Sequence, residues 1–202
     1  MIARRNADRA DGSEVTPVTQ PMYPWPAPDT FTVEDLVKVP RDGHRYEVID
    51  GALRVEPVPG IEHNSIADEV MIALANAAPP GWHPIRLVWV RLGQSVVVPD
   101  VTVLRPGTAL DAELADPGDV ALVVEVESKG SRRHDRFTKP SLYAEAGIES
   151  YWRVERTEAG PVMHLYSRAA AGHYQLHRSV NPGDSHLAEL PFAVQVAPAT
   201  LV

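Results

Sequence analysis

The chain of 202 residues contains no cysteine. Disulfide bonds and thiolate metal sites are therefore excluded, and the composition fits a reducing compartment such as the cytoplasm. Any metal ion must be held by carboxylate, imidazole or backbone carbonyl groups. Such a ligand set favours a hard ion such as Mg²⁺, Mn²⁺ or Ca²⁺.

The sequence also has no apolar run close to the roughly 20 residues that span a bilayer, so we expect no transmembrane helix. Arg4, Arg5 and Arg9 are not followed by an apolar segment, which argues against a secretory signal. Hydrophobic residues still make up 44% of the chain, as is typical of a globular protein. These features predict a cytoplasmic protein with no membrane partner.

Positive charge is scarce, since the formal net charge is -8 at pH 7. This balance argues mildly against nucleic acid as a partner, because a phosphate-binding surface needs positive charge at the point of contact. One basic strip is present, formed by Arg132, Arg133, His134, Arg136 and Lys139. It is either a contact to a DNA backbone or the solvated start of a helix, and its composition alone does not separate the two.

The chain divides into a tail and one domain. Residues 1–28 are polar, contain five prolines and have no apolar period, which predicts a flexible tail. Residues 29–202 then form the folded domain. It begins with a short helix near residues 33–38, because Thr32 and Asp35 have the spacing of a capping box.

Turn and helix signals follow in order. The strands 45–49 and 52–56 flank Asp50-Gly51, a pair typical of a tight β-hairpin turn. Residues 61–78 carry apolar side chains at intervals of three and four, which predicts a helix with one buried stripe. A second helix is predicted over residues 134–146.

Further strands are predicted over residues 85–92, 95–98, 101–104, 121–127, 150–155, 162–167, 174–180 and 192–196, with a loop over residues 105–119. The order of elements indicates an α/β or α+β domain with a mixed sheet flanked by helices and an N-terminal hairpin.

Two carboxylates lie inside strongly apolar segments. Asp100 follows Pro99, and because proline has no backbone donor it should interrupt strand pairing and leave Asp100 at an edge or bend. Glu125 lies within a strand that is apolar on both faces, where an unpaired carboxylate costs several kcal/mol. Strand alternation places Glu125 and Glu127 on the same face. Glu125 is therefore either a metal ligand or the partner of a structural cation.

Together these segments resemble the PD-(D/E)XK nucleases and, more narrowly, the Uma-type family of restriction-endonuclease-like proteins. The resemblance spans about residues 45–166. It is carried by Tyr46-Glu47-Val48-Ile49-Asp50-Gly51, the helix with His63, Val98-Pro99-Asp100, Leu122-Val123-Val124-Glu125-Val126, Arg132-Arg133-His134-Asp135-Arg136, Lys139, Tyr143-Ala144-Glu145-Ala146-Gly147-Ile148 and Tyr151-Trp152. It implies a restriction-endonuclease-like fold and a metal-dependent endonuclease acting on phosphodiester bonds, with DNA as the expected substrate.

The sequence departs from the superfamily pattern at the third motif. Where Glu-x-Lys is expected, the chain has Glu125-Val126-Glu127. The resemblance implies that the lysine comes instead from the following helix, as Lys139, and Lys129 is the second candidate. Glu127 is then an additional ligand, a salt-bridge partner for Lys139, or a sign of altered activity.

The resemblance assigns a role to each of these groups. Asp100, Glu125 and the backbone carbonyl of Val126 would hold Mg²⁺ or Mn²⁺, with Glu47 as a further catalytic carboxylate. Lys139 would orient a water or stabilise developing negative charge.

Arg132, Arg133 and Arg136 would contact the nucleic acid backbone. A homodimer would supply the two sites needed to cut both strands. One alternative is a catalytically inactive module that keeps the fold and binds nucleic acid or protein. A second alternative is a hydrolase that acts on a non-nucleic phosphate ester.

Several other polar and aromatic residues are expected to have structural rather than catalytic roles. His63 opens a helix and is interpreted as a cap or a surface residue. Asp135 is expected to favour the positive end of its helix rather than bind metal. Tyr143, Tyr151 and Trp152 are expected in the core rather than in a base-stacking platform.

Overall fold

The computed structural model describes residues 30–201, so the predicted tail, residues 1–28, lies outside the described residues. The helices are α1 (Val33–Leu36), α2 (Ile61–Ala77) and α3 (Lys139–Glu145), and a π-helical turn (His134–Thr138) leads directly into α3. The strands are β1 (Arg45–Ile49), β2 (Ala52–Glu56), β3 (His83–Arg86), β4 (Trp89–Leu92), β5 (Ser95–Val97), β6 (Val101–Leu104), β7 (Leu114–Ala115), β8 (Val120–Val126), β9 (Ser150–Thr157), β10 (Gly160–Arg168), β11 (Tyr174–Val180), β12 (His186–Ala188) and β13 (Val194–Val196).

Within residues 30–201 the strands form two large sheets and one small ribbon. The five-stranded sheet has the order β2-β1-β5-β4-β7, and the six-stranded sheet has the order β11-β10-β9-β8-β6-β3. β12 and β13 pair with each other. The six-stranded sheet is mixed, because β8 and β9 are parallel whereas its other neighbours are antiparallel. The predicted mixed α+β architecture is confirmed.

The first elements of the domain form where the local sequence predicted them. The backbone N–H of Thr32 donates to the Asp35 carboxylate at 3.0 Å, which is half of the capping box at α1. β1 and β2 pair in antiparallel register around Asp50 and Gly51, whose φ angles of 50° and 78° are those of a type I′ turn. The hairpin predicted from the Asp-Gly pair is confirmed.

At two points between consecutive strands, the chain bends and passes from one sheet to the other. A single strand was expected over residues 85–92, but Leu87 has a φ of 56° and separates β3 in the six-stranded sheet from β4 in the five-stranded sheet. This prediction was wrong because no glycine marks the left-handed residue. At the second break, Pro99 and Asp100 separate β5 from β6, as predicted from the missing proline donor.

The six-stranded sheet is covered on both faces at β8. On one face Leu122, Val124 and Val126 pack with the buried stripe of α2. On the other face Val123 packs in a core with Tyr143 of α3. All seven residues of β8 are buried, which confirms the prediction of a strand apolar on both faces and explains why Glu125 is removed from solvent.

The remaining differences from the predicted elements are local. The expected loop 105–119 contains β7 and a 3₁₀ turn at Pro117–Asp119. The helix predicted over residues 134–146 begins with the π-helical turn, in which the Lys139 N–H donates to the His134 carbonyl five residues earlier. Pro140 then lies at the start of α3, where its missing donor costs little.

At the C-terminal end, β12 was not predicted, and the predicted strand 192–196 is shorter at its start. Across residues 30–201, no helix combines the length and apolarity required to cross a membrane.

Candidate active site at the junction of the two sheets

Three buried carboxylates converge where the two sheets meet. Glu47 lies at the centre of β1 in the five-stranded sheet, Glu125 lies on β8 of the six-stranded sheet, and Asp100 lies at the break between β5 and β6. Each is about 1% exposed. Burying this much negative charge requires compensation from cations or hydrogen-bond donors.

Lys139 joins two of these carboxylates. Its Nζ lies 2.9 Å from Glu47 Oε1 and 3.0 Å from Glu125 Oε1, and its side chain is 1% exposed. The Tyr143 hydroxyl, one turn further along α3, donates to the same Glu125 oxygen at 2.5 Å. We call Glu47, Glu125, Lys139 and Tyr143 the inner cluster. It holds two carboxylates but one ammonium group.

Burial and charge act in opposite directions on this pair. Burial raises the pKa of Glu125 well above its usual value, against the attraction of the Lys139 ammonium. Burial works to lower the pKa of Lys139, but the carboxylates of Glu125 and Glu47 hold it well above its usual value. The lysine therefore stays protonated, which suits it to stabilise negative charge rather than to accept a proton.

Asp100 has different partners. Its Oδ2 accepts a hydrogen bond of 2.8 Å from the Val126 N–H, and its Oδ1 lies 2.9 Å from His63 Nε2 and 2.5 Å from Arg45 Nη1. Burial works to raise the pKa of Asp100, but His63, Arg45 and the Val126 N–H lower it to about 2. Asp100 is therefore a carboxylate at neutral pH, beside the residue that follows Glu125.

His63 and Arg45 were not predicted as site residues. His63 is 3% exposed, so the interpretation as a cap or surface residue was wrong. The signal was present in the sequence, because His63 lies three residues before Ile66 and so falls on the buried stripe of α2. Arg45 begins β1 and bonds Asp100 across 55 residues of sequence, and no local pattern marks such a contact.

Asp135 is a fourth acidic group beside the inner cluster. It lies in the π-helical turn, is 1% exposed, and neither carboxylate oxygen has a partner at hydrogen-bond geometry. Burial raises its pKa to about 6, opposed by the Lys139 ammonium and the nearby Ser131 hydroxyl. The predicted role at a helix end does not account for this burial.

A cleft of about 380 Å³ opens beside Asp100. Its charged and polar lining includes Arg45, Arg54, His63 and Arg156, with Glu56 as the acidic member. Arg54 and Arg156 have side-chain exposures of 21% and 34%. Each of the three arginines has a carboxylate partner: Arg45 pairs with Asp100 and Glu56, Arg54 with Glu56, and Arg156 with Glu62. The lining still has three arginines to one acidic residue, which fits an anionic ligand such as a phosphate.

Glu127 forms a separate cluster two residues beyond Glu125. It pairs with Arg132 at 3.3 Å, with Arg136 at 2.6 Å and with Arg153. Arg136 also pairs with Glu155 at 2.8 Å. We call these five residues the outer cluster. Glu127 therefore binds arginines, and the salt bridge to Lys139 that was one interpretation of it is not the contact that forms.

The structure places the other candidate residues as follows. Lys129 is exposed in the loop after β8, whereas Lys139 is buried between two carboxylates. Arg132 is 53% exposed and Arg136 is 30% exposed, both paired with Glu127, and Arg133 is exposed beside them. Tyr143, Tyr151 and Trp152 are buried in the core as predicted.

The donor chemistry of the site fits a hard divalent cation. Glu47, Asp100 and Glu125 offer oxygen ligands, and Glu47 Oε2 is buried without a hydrogen-bond partner. In residues 30–201 no group of three or more His, Asp or Glu side chains is arranged to hold a metal ion. Arg45 and Lys139 instead bind the carboxylates directly, so an ion would have to compete with these two cations.

Comparison with known proteins defines the class. The fold is similar to that of a solved structure described as "a putative nuclease belonging to DUF820 from Anabaena variabilis ATCC 29413", with a TM-score of 0.66 and 17% identity over 85% of this chain and 97% of that chain. The fold is therefore that of restriction-endonuclease-like proteins.

The chain belongs to the Uma2 family, described as "Putative restriction endonuclease", whose model matches residues 33–200. No curated protein matched the chain. The family description points to a nuclease.

Proposed function

We propose that the chain is an endonuclease that uses a divalent cation to hydrolyse phosphodiester bonds in DNA. The observation that carries the proposal is the position of Lys139, whose ammonium lies between Glu47 and Glu125 while Asp100 accepts from the next residue on β8. A protonated lysine beside converging carboxylates can stabilise the negative charge that develops during phosphodiester hydrolysis.

Asp100, Glu125 and the Val126 carbonyl would hold the ion, Mg²⁺ or Mn²⁺, with Glu47 as the additional carboxylate. When bound, the ion supplies Lewis-acid charge for the phosphate and its attacking water. Lys139 stabilises the negative charge that develops on the phosphate oxygens. Glu47 and Tyr143 hold Lys139 and Glu125 in position through their hydrogen bonds.

The cationic cleft supports a nucleic acid substrate. Arg45, Arg54 and Arg156 line it next to Asp100, so a backbone phosphate in the cleft would lie beside the carboxylates. Binding through phosphate contacts should weaken steeply as salt is added. We further propose a cytoplasmic homodimer, because cutting both strands of a duplex needs two sites.

A plasmid-nicking assay in Mn²⁺ tests this function. Asp100→Ala, Glu125→Ala and Lys139→Ala should each lower the nicking rate by about 100-fold or more. The exposed Lys129→Ala is the matched control and should cleave at the wild-type rate. Loss of cleavage in the Lys129 variant, with the Lys139 variant intact, would reverse the lysine assignment.

One observation favours a second candidate, an inactive module that binds nucleic acid or protein. Asp100 is already satisfied by Arg45, His63 and the Val126 N–H, and Glu127 stands where the motif lysine is expected. Calorimetric titration with Mn²⁺ separates the two candidates. A nuclease should bind the ion with an affinity that falls in the Asp100→Ala and Glu125→Ala variants, whereas an inactive module should show no binding that depends on these residues.

A further inference from the structure

A second pocket lies behind the helix that carries Lys139. It has a volume of about 340 Å³ and is bounded by the π-helical turn, α3 and the strands β9 to β11. Its lining includes Phe137, Tyr151, Tyr166, Tyr174, Arg136 and Arg153. The pocket is distinct from the cleft beside Asp100, because the two share no lining residue.

Aromatic rings dominate this pocket. Tyr151 is buried at its base, with its ring 5.6 Å from those of both Tyr166 and Tyr174. Tyr166 and Tyr174 are half-buried, so part of each ring faces outward. Phe137 lies at the rim with 69% of its surface exposed, so its ring is accessible from solvent. The pocket therefore offers π surfaces to a planar ligand.

The two arginines of the pocket are already neutralised, and two acidic residues, Asp135 and Glu145, also line it. Arg136 and Arg153 both pair with Glu127 and Glu155. Their positive charge is therefore compensated, and Arg153 is only 7% exposed. A phosphate would find no free positive charge here, whereas a neutral heteroaromatic ring would find stacking partners on several sides.

The pocket is close to the inner cluster. Lys139 faces the carboxylates, while Phe137 and Ser141 of the same helix line the pocket. A helix with its side chains is about 10–12 Å across. Stacked nucleotides advance about 3.4 Å each along a strand, so a strand that passes around this helix would need at least about three nucleotides between a phosphate in the cleft and a base in the pocket.

We propose that this pocket binds an unpaired nucleobase of the substrate strand, with Phe137 as the stacking residue at its rim. The inference rests on the proposed function, because it takes nucleic acid as the ligand. It gives the protein a preference for strands with accessible bases, such as single-stranded or locally opened DNA.

Fluorescence anisotropy with two labelled 12-nucleotide strands tests the pocket. One strand is oligo(dT), and the other has the same phosphates but an abasic sugar at every position. Binding is measured in EDTA, so no cleavage occurs. Wild type should bind oligo(dT) at least about fivefold more tightly than the abasic strand, as expected for stacking of one base.

Phe137→Ala should lose about fivefold in affinity for oligo(dT) and keep its affinity for the abasic strand. Phe137→Trp should restore the preference. Leu187→Ala is the matched control, since Leu187 is also an exposed apolar residue, at 56%, but does not line the pocket. It should behave as wild type.

Equal binding of the two strands by wild type, or an equal loss on both strands in Phe137→Ala, would overturn the base pocket. The nuclease proposal fails separately. If the protein prefers oligo(dT) through Phe137 but does not nick plasmid in Mn²⁺, the base pocket is supported and the proposed catalysis is overturned. If it nicks plasmid but shows no base preference, the catalysis is supported and the base pocket is overturned.

Discussion

The inner and outer clusters are built on Glu125 and Glu127, which lie two residues apart at the end of β8. The cations that compensate the two buried carboxylates differ in kind and number. Glu125 and Glu127 both face the helix that follows β8. Glu127 has three arginine partners, all at least 9% exposed in their side chains, and the cluster contains more positive groups than negative ones. Glu125 shares a single lysine, 1% exposed, with Glu47. Arg54 Nε lies 4.0 Å from the other Glu47 oxygen, so the inner cluster has one close cation for its two buried carboxylates.

This difference distinguishes the arginine-rich outer cluster from the cluster that we propose as part of the active site. Arginines at the edge of a protein compensate carboxylates with planar, paired hydrogen bonds and stay near solvent. A buried excess of carboxylate is costly to maintain, and its cost is offset when a cation binds. The inner cluster, with Asp135 nearby, has fewer close cations for its buried carboxylates than the outer cluster has.

The largest effect should come from removing the cation of the inner cluster. Lys139→Met leaves Glu47 and Glu125 buried together without an ammonium, and breaking a buried pair in this way costs about 3–5 kcal/mol. We expect that loss in the free energy of unfolding, measured with urea at pH 7. The deficit should shrink in acid, since Glu125, whose pKa burial already raises, becomes neutral there.

Lys129→Met is the control for that substitution. Lys129 is exposed, so its replacement should change the unfolding free energy by no more than about 0.5 kcal/mol. Equal stability of the two variants would mean that the inner cluster carries no excess charge.

The next effect concerns Asp135 and depends on pH. Burial raises its pKa from 3.8 to about 6, so folding favours the protonated form. Its contribution to stability is complete below about pH 4 and is lost as the pH rises through 6, a change of about 3 kcal/mol. Asp135→Asn removes this dependence, so the variant should gain stability relative to wild type between pH 4 and pH 7.

Urea denaturation at four pH values between 4 and 7 measures the gain. Asp111→Asn, at an exposed position, provides the comparison for a neutralised aspartate outside the cluster. Parallel stability curves for wild type and Asp135→Asn would show that ionisation of the Asp135 carboxyl group costs no unfolding free energy. Asp135 would then not belong with the carboxyl groups near Glu125 that burial destabilises.

A smaller effect is expected from the hydroxyl on Glu125. Tyr143→Phe removes the donor that lies 2.5 Å from Glu125 Oε1, while Lys139 remains 3.0 Å from the same oxygen, and loss of a hydrogen bond to a charged group costs about 1.5–3 kcal/mol. Tyr174→Phe is matched, because its hydroxyl donates to the Ile148 carbonyl at 2.8 Å. The Tyr143 variant should lose more unfolding free energy at pH 7 than the Tyr174 variant. The reverse order would place Glu125 outside the strained cluster.

Much of the fold could be predicted because its signals are local. The Asp50-Gly51 turn, the stripe of α2 and the apolar run of β8 each depend on neighbouring residues. Leu87 could not be predicted, since a leucine in the left-handed region is imposed by the crossing between sheets rather than by its own preference. The π-helical turn was likewise set by tertiary contacts of the segment that follows β8.

The site was predictable to the same extent. Asp100 and Glu125 stood out because a carboxylate in an apolar strand needs an explanation, and the family resemblance supplied Lys139. Arg45 and His63 did not stand out in the sequence, because each contacts Asp100 from a different element, 55 and 37 residues away. A histidine on the buried face of a helix was the one signal available.

The smallest effect on stability should come from the outer cluster. Arg132 is 53% exposed and lies 3.3 Å from Glu127, which keeps Arg136 and Arg153 as partners. Arg132→Ala should therefore cost no more than about 0.5 kcal/mol of unfolding free energy. Arg105→Ala is the control, since Arg105 forms a comparable exposed pair with Glu149 at 2.9 Å.

The same pair of variants tests whether the basic strip contacts DNA. If Arg132 neutralises one phosphate, Arg132→Ala should lower duplex affinity and reduce the slope of log affinity against log salt by about 0.9, while Arg105→Ala leaves both unchanged. An unchanged slope would assign Arg132 to the ion-pair network alone. The arginines of the cleft beside Asp100 would then be the ones that meet the backbone, and both arginines and carboxylates of the outer cluster would serve only to hold the end of β8 in place.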